Sequence, residues 1–264
     1  MKSEFKEYLK NEFGIDERVL RIADSALKEV ASEFSAIDSV KEYNQVKVIK
    51  AMQNNNVSDT HFNGTTGYGY GDKGRDGLDC VYRDVFKAED ALVRHQIVSG
   101  THALALCLFG NLRPGDELLS VVGKPYDTLE EVIGIRGEGG GSLKEFGVSY
   151  NQVNLLEDGS LDYKSIEKAI NSKTKMVLLQ RSRGYEWRSS FTIDEIEKAI
   201  GFIKGIRSDV LVLVDNCYGE FVESREPIEV GADLAAGSLI KNPGGGIAPT
   251  GGYVVGKMSC VEKA

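Results

Sequence analysis

The chain has 264 residues, of which 41% are hydrophobic and 27% charged, an ordinary balance for a globular protein that can bury a sizeable core. Its net charge of −8, with dispersed basic residues, argues against nucleic acid as a partner, and no apolar run is long enough to span a bilayer. The charged N-terminus lacks a signal-peptide core, and the cysteines form no Cys-x-x-Cys pair, so we expect a cytoplasmic protein with reduced thiols. The histidines His61, His95 and His102 lack metal-ligand spacing, and we expect no metal site.

Helical periodicity dominates the first fifty residues. Residues 3–13 predict a short helix, and Asp16 is the expected N-cap of a long one whose apolar positions recur from Val19 to Ile37. A second helical pattern runs from Val40 to Met52. These helices could pack on their own domain or on another subunit, and the sequence leaves both possibilities open.

A glycine-rich segment follows, from Asn54 to Asp79. It contains Tyr68, Tyr70 and Arg75, and we predict an irregular loop. Long loops without secondary structure are usually functional or disordered, and aromatic and arginine side chains among the glycines favour a functional loop.

Strands and helices alternate through the rest of the chain. We predict strands at 91–98, 117–122, 148–154, 175–180, 210–214 and 251–256, and helices at 78–86, 101–106, 129–133, 162–170 and 193–206. Thr192 and Glu195 form a capping box at the start of the last helix. This order predicts an α/β fold, a mostly parallel sheet with helices on both faces, and ligands bind beyond the carboxyl ends of strands in such sheets. We expect an N-terminal helical segment over 1–55 and a large domain over 56–264.

Two residues near the end of the chain indicate cofactor chemistry. Asp215 follows the buried strand at 210–214, and Lys241 lies 26 residues later in a glycine-rich turn. Pyridoxal phosphate uses both groups, because a lysine amine forms its Schiff base and an acid keeps its ring nitrogen protonated. Taken alone, Lys241 is better explained as a solvated loop lysine, so the assignment depends on other residues.

Other residues follow predicted strands at the same edge. The turn Ser99-Gly100-Thr101 opens a helix and is either an anion site or an ordinary N-cap. Tyr126 could stack on a flat ring or belong to the core. The segment 181–188, with three arginines and the only tryptophan, is either a wall for an anionic ligand or a solvated loop. The cluster Gly137-Glu138-Gly139-Gly140-Gly141 matches neither a dinucleotide fingerprint nor a P-loop, and we predict a flexible loop.

At this point the chain resembles pyridoxal-phosphate enzymes of the aspartate-aminotransferase fold (fold type I). Within them it is similar to the cysteine and methionine metabolism group, and most of all to the family named for aluminium resistance or as methionine gamma-lyase-like. The resemblance runs nearly end to end. The motifs that carry it are 67–70 (GYGY) with 74–76 (GRD), 97–103 (IVSGTHA), 180–185 (QRSRGY), 214–221 (VDNCYGEF) and 237–245 (GSLIKNPGG).

The resemblance implies a role for each cofactor residue. Lys241 is the expected Schiff-base lysine and Asp215 the partner of the pyridine nitrogen. The turn Ser99-Gly100-Thr101 matches the backbone cradle of the phosphate, and Ser238 matches a supporting hydroxyl. Tyr126 falls where the family has its ring-stacking tyrosine and is the expected proton donor to the leaving group.

The resemblance also implies residues beyond the cofactor. Tyr70 and Arg75 match a segment that reaches the phosphate of a neighbouring subunit, although this glycine-rich loop differs from the usual Tyr-x-Arg. Arg183 and Tyr185 are expected on the substrate side. The implied assembly is a homodimer or homotetramer, and the implied partner is a small amino-acid substrate.

The implied activity is a carbon–sulfur lyase, an elimination from a sulfur amino acid of the methionine gamma-lyase or cystathionine lyase type. The chain stops at Ala264, where family members continue into a small C-terminal domain, and we expect that domain to be absent. Two alternatives therefore stay open: a truncated, non-catalytic fragment or paralogue, and a pyridoxal-phosphate-dependent aminotransferase that uses the same site. Neither the substrate nor a link to aluminium follows from these residues.

Overall fold

One seven-stranded sheet forms the centre of the protein in the computed structural model, which describes residues 2–66, 68–137 and 140–264. The strand order is β1-β7-β6-β5-β4-β2-β3. β7 runs antiparallel to its neighbours β1 and β6, and the other adjacent pairs are parallel. The strands are β1 (Asp90–Arg94), β2 (Glu117–Ser120), β3 (Ser149–Gln152), β4 (Thr174–Gln180), β5 (Leu211–Asp215), β6 (Leu234–Ser238) and β7 (Gly252–Gly256).

Helices cover both faces of this sheet, so the predicted α/β architecture is confirmed. The α-helices in the described ranges are α1 (Ser3–Phe13), α2 (Glu17–Glu29), α3 (Ala31–Asn54), α4 (Lys73–Phe86), α5 (Gly100–Asn111), α6 (Asp127–Ile133), α7 (Tyr163–Ala169), α8 (Ile193–Ile206) and α9 (Met258–Val261). The capping box of α8 is present, with Thr192 and Glu195 each bonded to the other's backbone N–H.

Two hydrophobic cores lie on opposite faces of the sheet. In β4, Val177 and Leu179 face a core with α4, α7 and α8, whereas Met176 and Leu178 face a core with α5 and α6. All four side chains are at most 1% exposed. Since successive residues of a strand point to opposite faces, burial on both faces explains why residues 176–179 of this strand are all apolar.

The N-terminal helices break at a different residue from the one predicted. The break falls at Val30, where φ is −96° and ψ is 13°, and α3 then continues without interruption through residues 37–40. The prediction was wrong because the apolar periodicity continues across the break and does not reveal it. The backbone is almost continuous there, since the N–H of Val30 still bonds to Ala26 O. Within α3, the Ser39 hydroxyl donates to Ser35 O.

The predicted irregular loop over 54–79 is also corrected, because α4 begins at Lys73. The carboxylate of Asp72 caps this helix by accepting from the Arg75 N–H. A Cβ on Gly74 would collide with the carbonyl oxygen of His61, and one on Gly77 would lie 2.8 Å from the His61 ring. These glycines therefore permit close packing on His61. Gly67, and the Glu138-Gly139 part of the glycine cluster, lie outside the described residues.

The strand β6 was not predicted, and β1 is shorter than expected. β6 is built from small residues, which sequence propensity disfavours in strands. Glycine is required at position 237 because a Cβ there would lie 2.5 Å from a carboxyl oxygen of Glu220. β1 ends at Arg94, after which the Ile97 N–H bonds to Arg94 O and turns the chain toward α5.

Candidate active site

Three neighbouring strands end at the same edge of the sheet with a polar side chain. Gln180 ends β4, Asp215 ends β5 and Ser238 ends β6, and all three are at most 6% exposed. Gln180 is paired with Asp215 in the sheet register, so these two strand ends are level. This is the edge where ligands bind in open α/β sheets.

The N-terminus of α5 lies against the same edge. Ser99 caps the helix by accepting from the His102 N–H at 3.1 Å. The following N–H groups, from Gly100 and Thr101, have no carbonyl acceptor within the helix and lie at the positive end of its dipole. A Cβ on Gly100 would lie 2.8 Å from the sulfur of Cys217, which follows β5. Only glycine therefore lets α5 approach the strand ends this closely.

Lys241 lies in a tight turn after β6. Its N–H bonds to Ser238 O at 3.2 Å, and a Cβ on Gly244 would collide with the carbonyl oxygen of Leu239. The residue is half-buried, and its Nζ donates to the hydroxyl of Tyr218 at 2.5 Å. The Nζ also lies 4.1 Å from the centroid of the Tyr218 ring. The turn thus directs the lysine back toward the end of β5.

These elements enclose one cavity of about 170 Å³, which we call the lysine cavity. Seven residues predicted for the cofactor site line it, namely Ser99, Gly100, Thr101, Tyr126, Asp215, Ser238 and Lys241. They come from four separate segments of the chain. The cavity has a lysine amine, a buried carboxyl group and a helix N-terminus, each reaching it from a different element.

Asp215 is the buried acid of this cavity. Burial raises the pKa of its carboxyl group, while the Cys217 N–H and the positive charge of Lys241 act in the opposite direction. The N–H of Cys217 donates to its Oδ1 at 3.1 Å. Because desolvation makes the lone carboxylate costly, a cationic partner in the cavity would stabilise its charged form.

Tyr126 connects the cavity to the predicted substrate side. Its ring lies 5.7 Å from that of Tyr185, at an interplanar angle of 30°. A hydrogen bond with Tyr185, together with burial, raises the pKa of the Tyr126 phenol to about 12. Among the described residues, Arg183 and Tyr185 do not line the lysine cavity but an adjoining one of about 100 Å³, which Tyr126 shares. The Arg183 guanidinium lies 5.8 Å from the Trp187 ring.

Tyr70 and Arg75 are not among the described residues that line the lysine cavity. Tyr70 is 91% exposed, and its ring lies 6.0 Å from that of Tyr68. The guanidinium of Arg75 pairs with Asp76 at 3.0 Å. Their predicted role at a neighbouring subunit stays a prediction.

Tyr218 and Cys217, for which we predicted no role, also line the cavity. Both lie within the motif that carries Asp215, and that proximity was the only indication available. Tyr218 reaches the lysine because its backbone has a φ of 67°, which no residue pattern predicts for a tyrosine.

Neither a metal-binding cluster nor a membrane-spanning helix is found in the described part of the chain. No group of three or more His, Cys, Asp or Glu side chains there could hold a metal ion. None of its helices is long and apolar enough to cross a membrane.

The fold is that of the fold type I pyridoxal-phosphate enzymes. A solved structure from Campylobacter jejuni that is similar in fold contains N'-pyridoxyl-lysine-5'-monophosphate at its position 205. It has 21% identity and a TM-score of 0.55, and the match covers 72% of this chain and 42% of that one. At that identity the likeness shows the fold alone.

This chain belongs to the methionine gamma-lyase family, whose model matches residues 19–264. Protein YnbB from Bacillus subtilis (strain 168) is 56% identical over 235 residues, which are 89% of this chain. The carbon–sulfur lyase involved in aluminum resistance from Clostridium novyi NT is 50% identical, with a TM-score of 0.94 over 100% of this chain. The chain spans 56% of YnbB and 63% of the Clostridium protein.

Proposed function

We propose that this protein is a pyridoxal-phosphate-dependent carbon–sulfur lyase that acts on a sulfur amino acid. The observation that carries the proposal is the single cavity lined by the Lys241 amine, the Asp215 carboxyl group and the N-terminus of α5. Membership of the methionine gamma-lyase family, and the Clostridium relative that is called a carbon–sulfur lyase, support the reaction class.

The donor set of the cavity fits the chemical features of pyridoxal phosphate. The cofactor has a carbonyl carbon, a basic ring nitrogen and a phosphate dianion. Lys241 has the amine for the carbonyl carbon, and Asp215 has a buried acid for the ring nitrogen. The first-turn N–H groups at Gly100 and Thr101, with the Ser238 hydroxyl, would hold the phosphate.

Bound pyridoxal phosphate supplies a ring that accepts electrons from the α-carbon of an amino acid. Asp215 would keep a proton on the ring nitrogen, and that cationic nitrogen would in turn stabilise the buried carboxylate. The amine of Lys241 would remove the proton from the α-carbon of the substrate, since it is the basic group that reaches into the cavity.

Tyr126 is suited to protonate the departing sulfur. A pKa of about 12 keeps its phenol protonated at neutral pH, so it can donate a proton and is not a base. In the elimination the carbon–sulfur bond breaks, the sulfur takes the proton, and a thiol leaves. The adjoining cavity with Arg183 and Tyr185 would then bind the rest of the substrate, with the guanidinium facing an anionic group.

The assembly and the roles of Tyr70 and Arg75 rest on the family resemblance, and the location rests on the cysteine pattern. We propose that the protein is a cytoplasmic homo-oligomer, and that Tyr70 and Arg75 bind the phosphate in the site of a second subunit. Both side chains lie outside the lysine cavity of their own chain, as the described residues line it, and the ring of Tyr70 is almost fully exposed.

Reductive trapping tests the cofactor proposal. Purified protein is mixed with pyridoxal phosphate, its visible absorbance is recorded, and borohydride is added before peptide mass mapping. We expect a visible band and, after reduction, a fixed pyridoxyl adduct on Lys241. An adduct spread over exposed lysines, or no adduct, would contradict the proposal. The products then define the reaction: thiol, ammonia and keto acid together indicate elimination, and keto acid alone indicates transamination.

Gly100→Ala is expected to weaken pyridoxal-phosphate binding about tenfold or more, the usual effect of overpacking a tight site. The new Cβ would lie 2.8 Å from the Cys217 sulfur and would force α5 away from the strand ends. Absorbance titration measures the affinity. Cys217→Ala removes the obstructing sulfur, so the double variant should recover most of the loss. Equal weakening in the single and the double variant would show that the contact with Cys217 is not the cause.

A further inference from the structure

The loop after β5 holds two aromatic residues in a conformation that aromatic residues rarely adopt. Tyr218 has a φ of 67° and Phe221 a φ of 63°, both in the left-handed region. For a bulky side chain this backbone is strained, and it persists only where neighbouring groups hold it. Such strain concentrates at functional sites, so the groups that maintain it are of interest.

Asn242 is one of these groups. Its side-chain Nδ2 donates to the carbonyl oxygen of Tyr218 at 3.2 Å and to that of Glu220 at 2.9 Å. Asn242 is also the residue directly after Lys241, at the start of the tight turn. The same turn therefore carries the lysine and the amide that fixes the strained tyrosine.

Asn242, Tyr218 and Lys241 are therefore connected in a ring of contacts. Asn242 fixes the backbone of Tyr218, and the Tyr218 side chain then returns to the lysine, with its hydroxyl 2.5 Å from Nζ and its ring centroid 4.1 Å away. If Tyr218 relaxed to an ordinary φ, its ring would leave this position.

We propose that Asn242 is a positioning residue for Lys241 and that it acts through the strained backbone of Tyr218. An amine that removes a proton must be held where that proton will be, and the Tyr218 contact gives it a fixed resting place. The proposal rests on the proposed function, in which Lys241 is the cofactor lysine. Its structural content, the dependence of the Lys241 amine on Asn242, is testable without the cofactor.

Competitive acylation of the cofactor-free protein, read by peptide mass spectrometry, measures how freely the Lys241 amine reacts. Tyr218→Phe keeps both backbone hydrogen bonds but removes the hydroxyl, and should raise the acylation rate of Lys241 about fivefold. Asn242→Ala should raise it at least as much, because the ring contact with Nζ is lost together with the hydroxyl. Asn242→Asp, nearly equal in size, should do the same, since a carboxylate cannot donate to the two carbonyl oxygens. The Tyr218→Phe/Asn242→Asp double variant should match Asn242→Asp alone, because the hydroxyl has no further effect once the ring has left the amine.

Lys198 is the internal reference, because its Nζ also lies over a tyrosine ring, 5.2 Å from the centroid of Tyr163. Its acylation should be unchanged in every variant. The proposal is overturned if Tyr218→Phe leaves the Lys241 rate within about twofold of wild type. It is equally overturned if Tyr218→Phe raises the rate and folded Asn242 variants do not. Absence of a pyridoxyl adduct on wild-type Lys241 would instead refute the proposed function and leave the acylation result intact.

Discussion

Replacing Lys241 by alanine is expected to lower the rate of carbon–sulfur bond cleavage by at least about 10³-fold, because both the covalent attachment of the cofactor and the base are lost together. The amine is the basic group that the turn after β6 directs into the cavity. Keto acid and thiol release at saturating pyridoxal phosphate would measure the loss. The absorbance titration should show weaker cofactor binding in the same variant.

A matched control for this substitution is Lys198→Ala. Lys198 is an exposed lysine on α8 whose amine also lies over a tyrosine ring. Lys198 is not among the described residues that line the lysine cavity, so this variant should keep wild-type turnover. Near wild-type activity in Lys241→Ala would end the assignment of the lysine, whatever the control does.

Glu220→Gln is expected to change how the stability of the protein depends on pH. Glu220 is 0% exposed; its Oε1 accepts from the Tyr253 hydroxyl at 2.9 Å, and its Oε2 has no hydrogen-bond partner among the described residues. Burial, and the negative charges of Glu226 and Asp215, raise the pKa of its carboxyl group from 4.5 to about 8. The protonated acid is therefore the form that suits this site at neutral pH.

The sign of the effect follows from this raised pKa. The folded chain holds the Glu220 proton up to about pH 8, whereas the unfolded chain releases it near pH 4.5. The contribution to stability is therefore complete below pH 4.5 and is lost as the pH rises through 8. From this group alone, the free energy of unfolding should fall by up to about 4 kcal/mol across that window.

Urea unfolding of the cofactor-free protein at several pH values between 4.5 and 8.5 (about half-unit steps) would test this. Wild type should lose stability relative to Glu220→Gln as the pH rises, because glutamine has the same shape and no proton to release. Glu157→Gln, at an exposed glutamate, should behave as wild type does. Parallel curves for wild type and Glu220→Gln would mean that the buried carboxyl group is not protonated in the folded state.

Much of the fold could be predicted because its causes are local. The capping box at Thr192 and Glu195 is read from four consecutive residues, and the apolar run that ends at Asp215 is the direct mark of a strand buried on both faces. The errors arose where packing overrode local preference. Gly74 and Gly77 lie in a helix, where the absence of a side chain makes room for His61, and β6 is a strand in spite of its alanines and glycine.

The site divides in the same way. The motifs and the family resemblance that they carry selected Lys241, Asp215 and the turn at Ser99. Asp215 and Ser99 also follow predicted strands, and parallel strands end at one edge. The motifs could not select Asn242, because two carbonyl oxygens more than 20 residues away make its amide important. Nor could they select Glu220, whose raised pKa comes from complete burial.

The sequence by itself determined most of the alternation of elements, the strand end that carries the acid, the turn that carries the lysine, and the family to which the chain belongs. Only the tertiary structure decided which side chains meet the lysine amine and which carboxyl group keeps its proton. The physical reason is the distance along the chain over which each effect acts. Propensity, capping and periodicity act over a few residues, whereas desolvation and the contact between Tyr218 and Lys241 depend on segments that become neighbours only after folding.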